Sequence, residues 1–470
     1  MSRSTQHHLG ASRTGAVSRT FVMLTAGGAL ALALLVAWSC KTTRTGFVPM
    51  HASEGTVEIT SAEGVGSRPE PMIRVRIARQ TKESELAGRG PWLVAVAGSR
   101  TGEVMTGPVK VSASKGGIRL TDARGRVRGF GPGTVVYAGP VVGPDDEPGQ
   151  EIVSVGRTRY PGTLRYHPRP DEGDDVFDVV NVVEIERYIP GVIAKELFPH
   201  WSETAFMAQS VAARTFALQR RESARNSDRW YDVDDSQSDQ VYAGLTGLRV
   251  AIRAAEQTRG VVLTEGGSLA GAYYSSTCGG KPVSAEEVWP SNTPVIRNVG
   301  LNEVESSVGA TVEKRDVLCE SAPLYEWEVA RRTSDLSKRI KSWGKKHNNE
   351  VGRFGSLQSV EVEQRSPNGR SLIVKLTDTS GRSAALTTEH FRAACNSSQP
   401  GVPDVSRVAQ VYSGDVSVDV GRRVTRIAGY GSGHGVGMCQ YCAEAMAQRG
   451  DDWRLLLSTF YPESKLVRIY

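Results

Sequence analysis

Apolar and polar positions alternate along the chain between residues 71 and 180. The segment IRVRIA alternates strictly, and the short runs WLVAVAG, GIRLT, EIVSVG and VFDVVNVV follow it, separated by Gly, Pro and Asp. A period of two residues with turn residues between the runs is typical of β-strands. The pattern therefore predicts a β-rich region. It brings no recognisable catalytic grouping, which favours a scaffold or docking role for this part.

The pattern then becomes helical. Pro190 can occupy the first turn of a short helix, which Pro199 ends. In that helix Glu196 lies four residues after Val192 and three after Ile193, so its carboxyl group shares a face with two apolar side chains. Desolvation of such a carboxyl raises its pKa toward the neutral range that a general acid needs. The alternative is a solvated glutamate at the edge of the helix.

A second helix is predicted to begin near Ser202, a favourable N-cap. Small residues occupy every side of this helix, which indicates that it is buried. Gln209 and Arg214 are its polar exceptions. A buried arginine requires a partner, so Arg214 either pairs with a structural carboxylate or supports the site around Glu196.

Helices and strands mix through the rest of the chain. A helix is predicted over about residues 248–258, followed by a strand pair with a Gly-Gly turn. The second strand brings Ser275, Ser276 and Cys278 to its end beside two glycines, which is a natural rim for a site. No G-x-S-x-G motif surrounds either serine, which argues against a serine hydrolase. The whole pattern predicts an α+β fold.

Near the C-terminus a predicted strand leads into the loop GYGSGHGVG and then into a helix. The glycine spacing does not fit the G-x-G-x-x-G phosphate loop. Glycines do allow a substrate to approach the backbone closely. His434 stands in the middle of this loop, where flanking glycines cannot pack against it, so we predict that it lies in a cleft.

Composition and charge exclude few classes of function. The 470 residues are enough for two or three domains with full apolar cores. The formal net charge of +6, with both signs interspersed, weakly favours an anionic partner such as a cell wall or a membrane surface. No block of Lys and Arg is dense enough to indicate nucleic-acid binding.

Residues 1–40 are typical of a targeting segment, because three arginines precede an apolar stretch that ends just before Cys40. This order indicates an export signal, and the stretch is nearly long enough to span a bilayer. Two alternatives follow: lipidation of Cys40 within a sequence that resembles a lipobox, or an uncleaved signal anchor. Both predict a membrane-attached product outside the cytoplasm, periplasmic or at the cell surface. Residues 41–70 are polar and predict a flexible tether.

Several stretches resemble one known family, the stage II sporulation protein D family (SpoIID/LytB domain). They are EIERYIPGVIAKELFPHWSETAFMAQSVAARTFAL, SQSDQVYAGL, YYSSTCGG and GYGSGHGVGMCQYCAEAMA. The resemblance implies a SpoIID-type core of helices and strands over residues 181–470, with residues 71–180 as its β-rich part. It also implies action on bacterial peptidoglycan. The sporulation branch cuts glycan strands as a lytic transglycosylase, and the LytB branch is described as an amidase enhancer.

The resemblance also assigns roles to residues. It implies that Glu196 is the catalytic acid and that the segment with Gln240 and Tyr242 lines the glycan cleft. The complete set of predicted substrate-binding residues is Gln209, Arg214, Gln240, Tyr242, Ser276 and His434.

Five cysteines follow the N-terminal segment, an odd number that cannot be fully paired within one exported chain. Cys439 and Cys442 share a helix face, as in a redox pair, and they also form half of a tetrahedral zinc site that Cys278 and Cys319 would complete. Some members of the family bind zinc through cysteine and histidine near the CGG segment, but Tyr274 stands where that histidine is often found. A Cys278–Cys319 disulfide is the favoured alternative, and a structural zinc ion is the other.

These observations predict an exported enzyme that cleaves the link between N-acetylmuramic acid and N-acetylglucosamine. A lytic transglycosylase can work with one carboxyl group, here that of Glu196, because the C6 hydroxyl of muramic acid is the nucleophile; no cofactor is required. The resemblance implies peptide-stripped glycans as the substrate and a cell-wall amidase as a partner. The first alternative is a non-catalytic enhancer of an N-acetylmuramoyl-L-alanine amidase, and the second is a wall-binding module without activity.

Overall fold

The computed structural model describes residues 57–62, 65–66, 68–88, 90–99, 101–141, 152–172, 175–236, 239–289 and 317–470. The predicted export segment, Cys40 and the first part of the predicted tether lie outside the described residues. Within these ranges, no helix combines the length and the apolar character that crossing a membrane requires.

Strands dominate the described chain before its first helix. They are β1 (Ile59–Ser61), β2 (Met72–Thr81), β3 (Glu83–Leu86), β4 (Trp92–Val96), β5 (Gly102–Met105), β6 (Val109–Ser114), β7 (Gly117–Thr121), β8 (Val127–Phe130), β9 (Val136–Pro140), β10 (Ile152–Val155), β11 (Thr158–Pro161), β12 (Thr163–Pro168) and β13 (Phe177–Glu184).

Strands β2 to β13 form two sheets around one core. Strands β2, β13, β12, β9, β4 and β5 are neighbours in the first sheet, and β11, β10, β3, β6, β7 and β8 are neighbours in the second. Val75 and Tyr166 from the first sheet share an apolar cluster with Leu86 and Leu120 from the second, and all four are fully buried. The predicted β-rich region and the α+β class are confirmed.

Two helices follow, α1 (Ile185–Glu196) and α2 (Glu203–Asn226). The prediction that Pro190 occupies the first turn of α1 is wrong, because β13 passes directly into the helix at Ile185. Burial of Ile185 and of the next turn outweighs the one backbone hydrogen bond that proline removes. Helix α2 begins after Ser202 and is buried through its middle, as its small residues predict.

After α2 the chain continues through short elements, which together with β1–β13, α1 and α2 we call the main body. They are β14 (Val233–Asp234), α3 (Arg249–Gln257), β15 (Val261–Glu265), β16 (Ser268–Leu269), β17 (Tyr274–Ser275) and α4 (Ala285–Val288). The helix predicted over residues 248–258 and the hairpin with the Gly-Gly turn correspond to α3 and to β15–β16.

Residues 317–430 form what we call the inserted module, which has an apolar core of its own built around Trp327, Leu336, Leu376 and Phe391. Its elements are β18 (Glu326–Arg332), α5 (Thr333–Lys346), β19 (Leu357–Arg365), β20 (Ser371–Asp378), β21 (Ser383–Thr387), α6 (Thr388–Asn396), β22 (Val416–Val420) and β23 (Val424–Tyr430), with 3-10 turns at Glu350–Arg353 and Arg407–Ala409.

The chain then returns to the main body through β24 (Met438–Cys439), α7 (Gln440–Gln448), α8 (Trp453–Phe460) and β25 (Lys465–Arg468). Strand β25 lies between β15 and β1, so the ordered chain reaches back into the stretch that the sequence assigns to a tether. Strand β24 pairs in parallel with β17. This pairing brings the start of α7 to the segment around Cys278 and to the C-terminal end of α1.

Candidate active site

Glu196 is the last residue of α1, and its half-buried carboxyl group faces the start of α7. Val192 and Ile193, which share its helix face, are fully buried, as the spacing predicts. Burial raises the pKa of the Glu196 carboxyl to about 7, although a hydrogen bond from Gln440 acts in the opposite direction. Its place at the negative end of the helix dipole also disfavours the ionised form. The carboxyl group is therefore suited to holding and releasing a proton near neutral pH.

Two glutamines complete the immediate surroundings of this carboxyl group. The Nε2 atom of Gln440 donates to Oε2 of Glu196 at 3.2 Å and lies 3.4 Å from Oε1 of Gln209. Gln209 is fully buried on α2, and its own Nε2 finds no hydrogen-bond partner in the described part of the chain. A buried, unsatisfied donor is costly.

Helix α7 is held in this position by a second contact with α2. The backbone N–H of Ser202 donates to Oε2 of Glu444 at 2.9 Å, and its hydroxyl donates to Oε1 at 3.0 Å. Ser202 is the N-cap residue predicted from the sequence, but its hydroxyl serves the contact with α7 and not the cap. The contact fixes Gln440 opposite Glu196.

A chain of buried hydroxyl and amide groups lies beneath the site. The hydroxyl of Tyr188 donates to Oε1 of Gln240 at 3.1 Å, and Nε2 of Gln240 donates to the hydroxyl of Tyr274 at 2.9 Å. Burial, and then the nearby charge of Glu196, raise the pKa of Tyr274. Gln240 and Tyr242 are only 1% and 3% exposed. As a correction to the expected glycan contacts, both residues belong to the support beneath Glu196.

Arg214 is also part of the scaffold. It is fully buried and forms an ion pair with Glu186 at 2.8 Å, and its Nη1 donates to the carbonyl of Val261 at 3.0 Å. The hydroxyl of Tyr470 donates to the same carboxylate at 2.8 Å. Arg214 offers no surface to a substrate, so its expected substrate contact is corrected to the structural alternative, a carboxylate partner.

His434 is half-buried in a packed aromatic group. Its ring lies 5.1 Å from that of Trp289 and 6.2 Å from that of Tyr273, and its Nδ1 accepts the N–H of Val436 at 3.1 Å. Burial lowers the pKa of His434 to about 4, so the imidazole is neutral near pH 7. Residues from other segments thus provide the packing that its glycine neighbours lack.

The glycines of this loop serve contacts within the protein. Gly437 has a φ of +67°, and a side chain there would place its Cβ 2.1 Å from the carbonyl oxygen of Tyr273. A Cβ at Gly433 would lie 2.7 Å from Cβ of Ser275. The loop is glycine-rich because it packs directly against the β17 segment, whereas the sequence suggested close approach of a substrate.

Ser276 lies beside the start of α7. Its carbonyl accepts the N–H of Tyr441 at 3.2 Å, and the residue is half-buried. The predicted rim at the end of β17 is therefore in contact with the helix that carries Gln440.

Two features of the site were not predicted from the sequence. Gln440 lies between Cys439 and Cys442, whose spacing indicates metal or disulfide chemistry, and nothing near it in the sequence indicates a contact with Glu196. The other feature is an aromatic patch beside Glu196. The ring centroids of Trp201 and Tyr441 are 4.9 Å apart, and Phe198, which is 43% exposed, lies 5.4 Å from Trp201. An exposed aromatic ring such as that of Phe198 is a suitable surface for the apolar face of a sugar, and the sequence FPHW was the available signal.

The four cysteines singled out in the sequence converge. Cys278, Cys319, Cys439 and Cys442 are all buried, and their sulfur atoms lie within 4.8 Å of one another. The Sγ atoms of Cys278 and Cys319 are 3.7 Å apart, far beyond the bond length of about 2.05 Å, so no disulfide joins them in this structure. Cys395 is a free buried thiol in the core of the inserted module.

Comparisons with known proteins confirm the resemblance. Residues 173–264 match the family described as Stage II sporulation protein (SpoIID), and this match includes Glu196 and Gln209 but not Gln440. Residues 297–437, which include the whole inserted module, match a domain of unknown function, DUF8618.

Curated relatives match larger parts of the chain. An uncharacterized protein of Brachyspira hyodysenteriae is 28% identical over 315 residues, which cover 66% of this chain and 73% of the relative. The amidase enhancer of Bacillus subtilis is 27% identical over 303 residues, which cover 59% of this chain but only 40% of the enhancer. Stage II sporulation protein D of Bacillus amyloliquefaciens is 26% identical over 298 residues, which cover 60% of this chain and 74% of the relative.

Proposed function

We propose that this chain, with its SpoIID domain at residues 173–264, acts on the bacterial cell wall and cleaves peptidoglycan glycan strands as a lytic transglycosylase. One observation carries the proposal. Glu196 has a pKa of about 7 in a site where burial and Gln440 are the influences on its titration. Among the described residues, no second carboxylate perturbs it. Most glycosidases need two carboxyl groups, so a site with one favours a reaction in which the substrate supplies the nucleophile.

The reaction would use the same carboxyl group twice. Protonated Glu196 gives its proton to the oxygen of the bond between N-acetylmuramic acid and N-acetylglucosamine, and that bond breaks as positive charge develops at C1 of the muramic residue. The C6 hydroxyl of the same residue then attacks C1, and the Glu196 carboxylate accepts the hydroxyl proton. The products are two shorter strands: one ends in 1,6-anhydromuramic acid, and the other begins with the N-acetylglucosamine whose oxygen received the proton. No water is consumed, and Glu196 returns to its protonated state.

The neighbouring residues have distinct tasks in this scheme. The amide of Gln440 donates to Glu196 and stabilises the carboxylate that forms between the two steps. Gln209 is fully buried, so it acts on the carboxyl group through Gln440, whose amide it holds from beneath. Phe198 and Tyr441 provide an aromatic surface beside the bond that breaks. Proton transfer by a positioned carboxyl group contributes on the order of a hundred- to ten-thousand-fold to rate.

A second candidate function is supported by the relative named amidase enhancer. In that case the chain would bind glycan or an N-acetylmuramoyl-L-alanine amidase and stimulate the amidase, and Glu196 would be structural. Denuded glycan strands incubated with the purified full-length chain separate the two functions. New 1,6-anhydro ends in the mass spectrum support the transglycosylase. Denuded strands that stay intact, together with faster peptide release when the chain and an amidase are added to peptidoglycan that still carries its peptides, would show the enhancer instead.

The cellular location follows from the same proposal. Peptidoglycan lies outside the cytoplasm, and the N-terminal segment predicts export with attachment through Cys40 or through a signal anchor. Replacement of Cys40 by alanine distinguishes these two anchors. If lipid on Cys40 is the anchor, the variant is released from the membrane fraction; if the apolar segment is the anchor, the variant stays there.

A further inference from the structure

The cysteine cluster joins three parts of the chain that are distant in sequence. Cys278 follows β17, Cys319 opens the inserted module, and Cys439 and Cys442 flank the first turn of α7. No more than 8% of any of the four residues is exposed. A contact between four buried sulfur atoms from three segments has no role in the chemistry proposed for Glu196, so it requires a separate account.

The distances fit a tetrahedral metal site. Zinc–thiolate bonds of about 2.3 Å at tetrahedral angles place neighbouring sulfur atoms about 3.8 Å apart. The sulfur atoms of Cys278 and Cys319 are 3.7 Å apart, and all four lie within 4.8 Å of one another. A disulfide between Cys278 and Cys319 would require these atoms to approach by more than about 1.5 Å. It would also leave the other two sulfur atoms packed against the bond.

Hydrogen bonds within the cluster also suit thiolates. The backbone N–H groups of Cys278 and Cys442 both point at the sulfur of Cys439, each at 3.4 Å. Donors of this kind stabilise a negatively charged acceptor more than a neutral one. The Cys-x-x-Cys spacing at the start of a helix supplies two such ligands from one turn.

A buried arginine beside the cluster points to negative charge there. Arg370 is 1% exposed, and its guanidinium donates to the carbonyls of Cys278 at 3.2 Å and of Gly433 at 3.0 Å. Within the described ranges, no carboxylate oxygen lies within 4.0 Å of this guanidinium. Glu389 and Asp415 act on this charge only from a longer distance, and a buried charge without a counter-charge in contact with it is costly. Four thiolates around one divalent cation carry a net charge of about −2, which would offset the charge of Arg370.

We propose that Cys278, Cys319, Cys439 and Cys442 bind one zinc ion as a closed tetrathiolate site. Four protein ligands leave no position for water or substrate, so the ion is structural and not catalytic. It fastens the start of the inserted module and the CGG segment to the first turn of α7. Gln440 lies between two of the ligands, so the ion also fixes the amide that donates to Glu196. The importance of that last contact for catalysis rests on the proposed function, whereas the metal site does not.

The test measures metal and thiols, not activity. The full-length chain is expressed with export, purified without added thiol reagents, and analysed by inductively coupled plasma mass spectrometry. We expect one zinc per chain, and four thiols that become reactive only after chelation and unfolding, in addition to Cys395. Replacement of the zinc by cobalt should give the visible absorption bands of a tetrahedral cobalt–thiolate centre.

Single serine variants connect the metal to its ligands. Cys278→Ser and Cys442→Ser should each lose the zinc, whereas Cys395→Ser, a matched change at a buried cysteine outside the cluster, should keep it. Chelation of the wild-type protein should also weaken hydrogen-exchange protection at the start of α7 before it affects the core of the inserted module.

Three results would overturn the proposal, and all come from the wild-type protein, so a misfolded variant cannot obscure them. The first is a metal-free chain with disulfides among these four cysteines. The second is a reduced chain that does not take up zinc. The third is a stoichiometric metal other than zinc, such as iron, which also accepts four thiolates.

Discussion

The raised pKa of Glu196 predicts a pH-dependent effect on stability that can be measured without any substrate. Burial raises this pKa from an ordinary value of 4.5 to about 7. The folded chain therefore holds the proton more tightly than the unfolded chain does. The stability from this difference is complete below pH 4.5 and is lost as the pH rises through 7. A shift of this size corresponds to about 3 kcal/mol in the free energy of unfolding.

Replacement of Glu196 by glutamine removes the titration but keeps the size and the polar character of the side chain. At pH 8 the variant should be more stable than the wild type by about 3 kcal/mol, because the wild type must then bury a charge or take up a proton. At pH 4 the two proteins should be equally stable, because the wild-type carboxyl is protonated in both states. Urea unfolding followed by tryptophan fluorescence at several pH values between 4 and 8 gives the difference.

Glu203 provides the matched control one helix away. It lies on the first turn of α2 and pairs with Arg253 at 2.8 Å, and this contact lowers its pKa. Glu203→Gln should therefore destabilise the protein slightly near neutral pH, by less than about 1 kcal/mol, because the pair is partly solvated. If Glu196→Gln gives no gain at pH 8, or a gain that does not change with pH, the carboxyl group is not desolvated as the structure indicates.

Three further predictions concern the same region. Glu196→Gln should lower the rate of anhydro-end formation on denuded glycan by about a hundred- to ten-thousand-fold, and Glu203→Gln should retain most of the activity; equal rates for Glu196→Gln and the wild type would contradict the acid–base role. Gln440→Leu removes a donor that stabilises the carboxylate, so the decline of the pH–rate profile above neutrality should move to higher pH, and an unchanged profile would show that this hydrogen bond is unimportant. Arg214→Met leaves the buried carboxylate of Glu186 without its cation and should cost about 3–5 kcal/mol in urea unfolding, with much of the loss recovered when Glu186 is also replaced by leucine.

The sequence predicted those parts of the site that depend on local spacing. Glu196 shares a helix face with Val192 and Ile193, and the structure buries that face as the spacing requires. The small residues of α2 likewise predicted a buried helix. In both cases the information lies within one or two turns, where helix periodicity alone decides which side chains face the core.

Other parts depend on contacts between distant residues, which no local pattern encodes. Gln440 meets Glu196 across 244 positions of the sequence. Gln240 and Tyr242 stand in a motif typical of the cleft, but motif membership does not determine which side of the backbone faces a ligand. The predicted start of α1 is wrong because proline prefers the first turn of a helix, whereas burial of the turn before Pro190 extends the helix back to Ile185. The distances between the four cysteines could not be predicted, because they depend on how three segments distant in sequence pack against one another.

The long-range contacts around Glu196 also have a consequence for the order in which the protein becomes functional. During synthesis Glu196 precedes its hydrogen-bond partner Gln440 by 244 residues. The buried pair of Arg214 and Glu186 likewise receives a further hydrogen bond from Tyr470, which is made much later. Contacts of such large separation form only after the intervening chain is available. A nascent chain that has not yet released residues 440–470 therefore lacks the finished surroundings of Glu196. Any chemistry of that carboxyl group has to wait for the segment that carries Gln440.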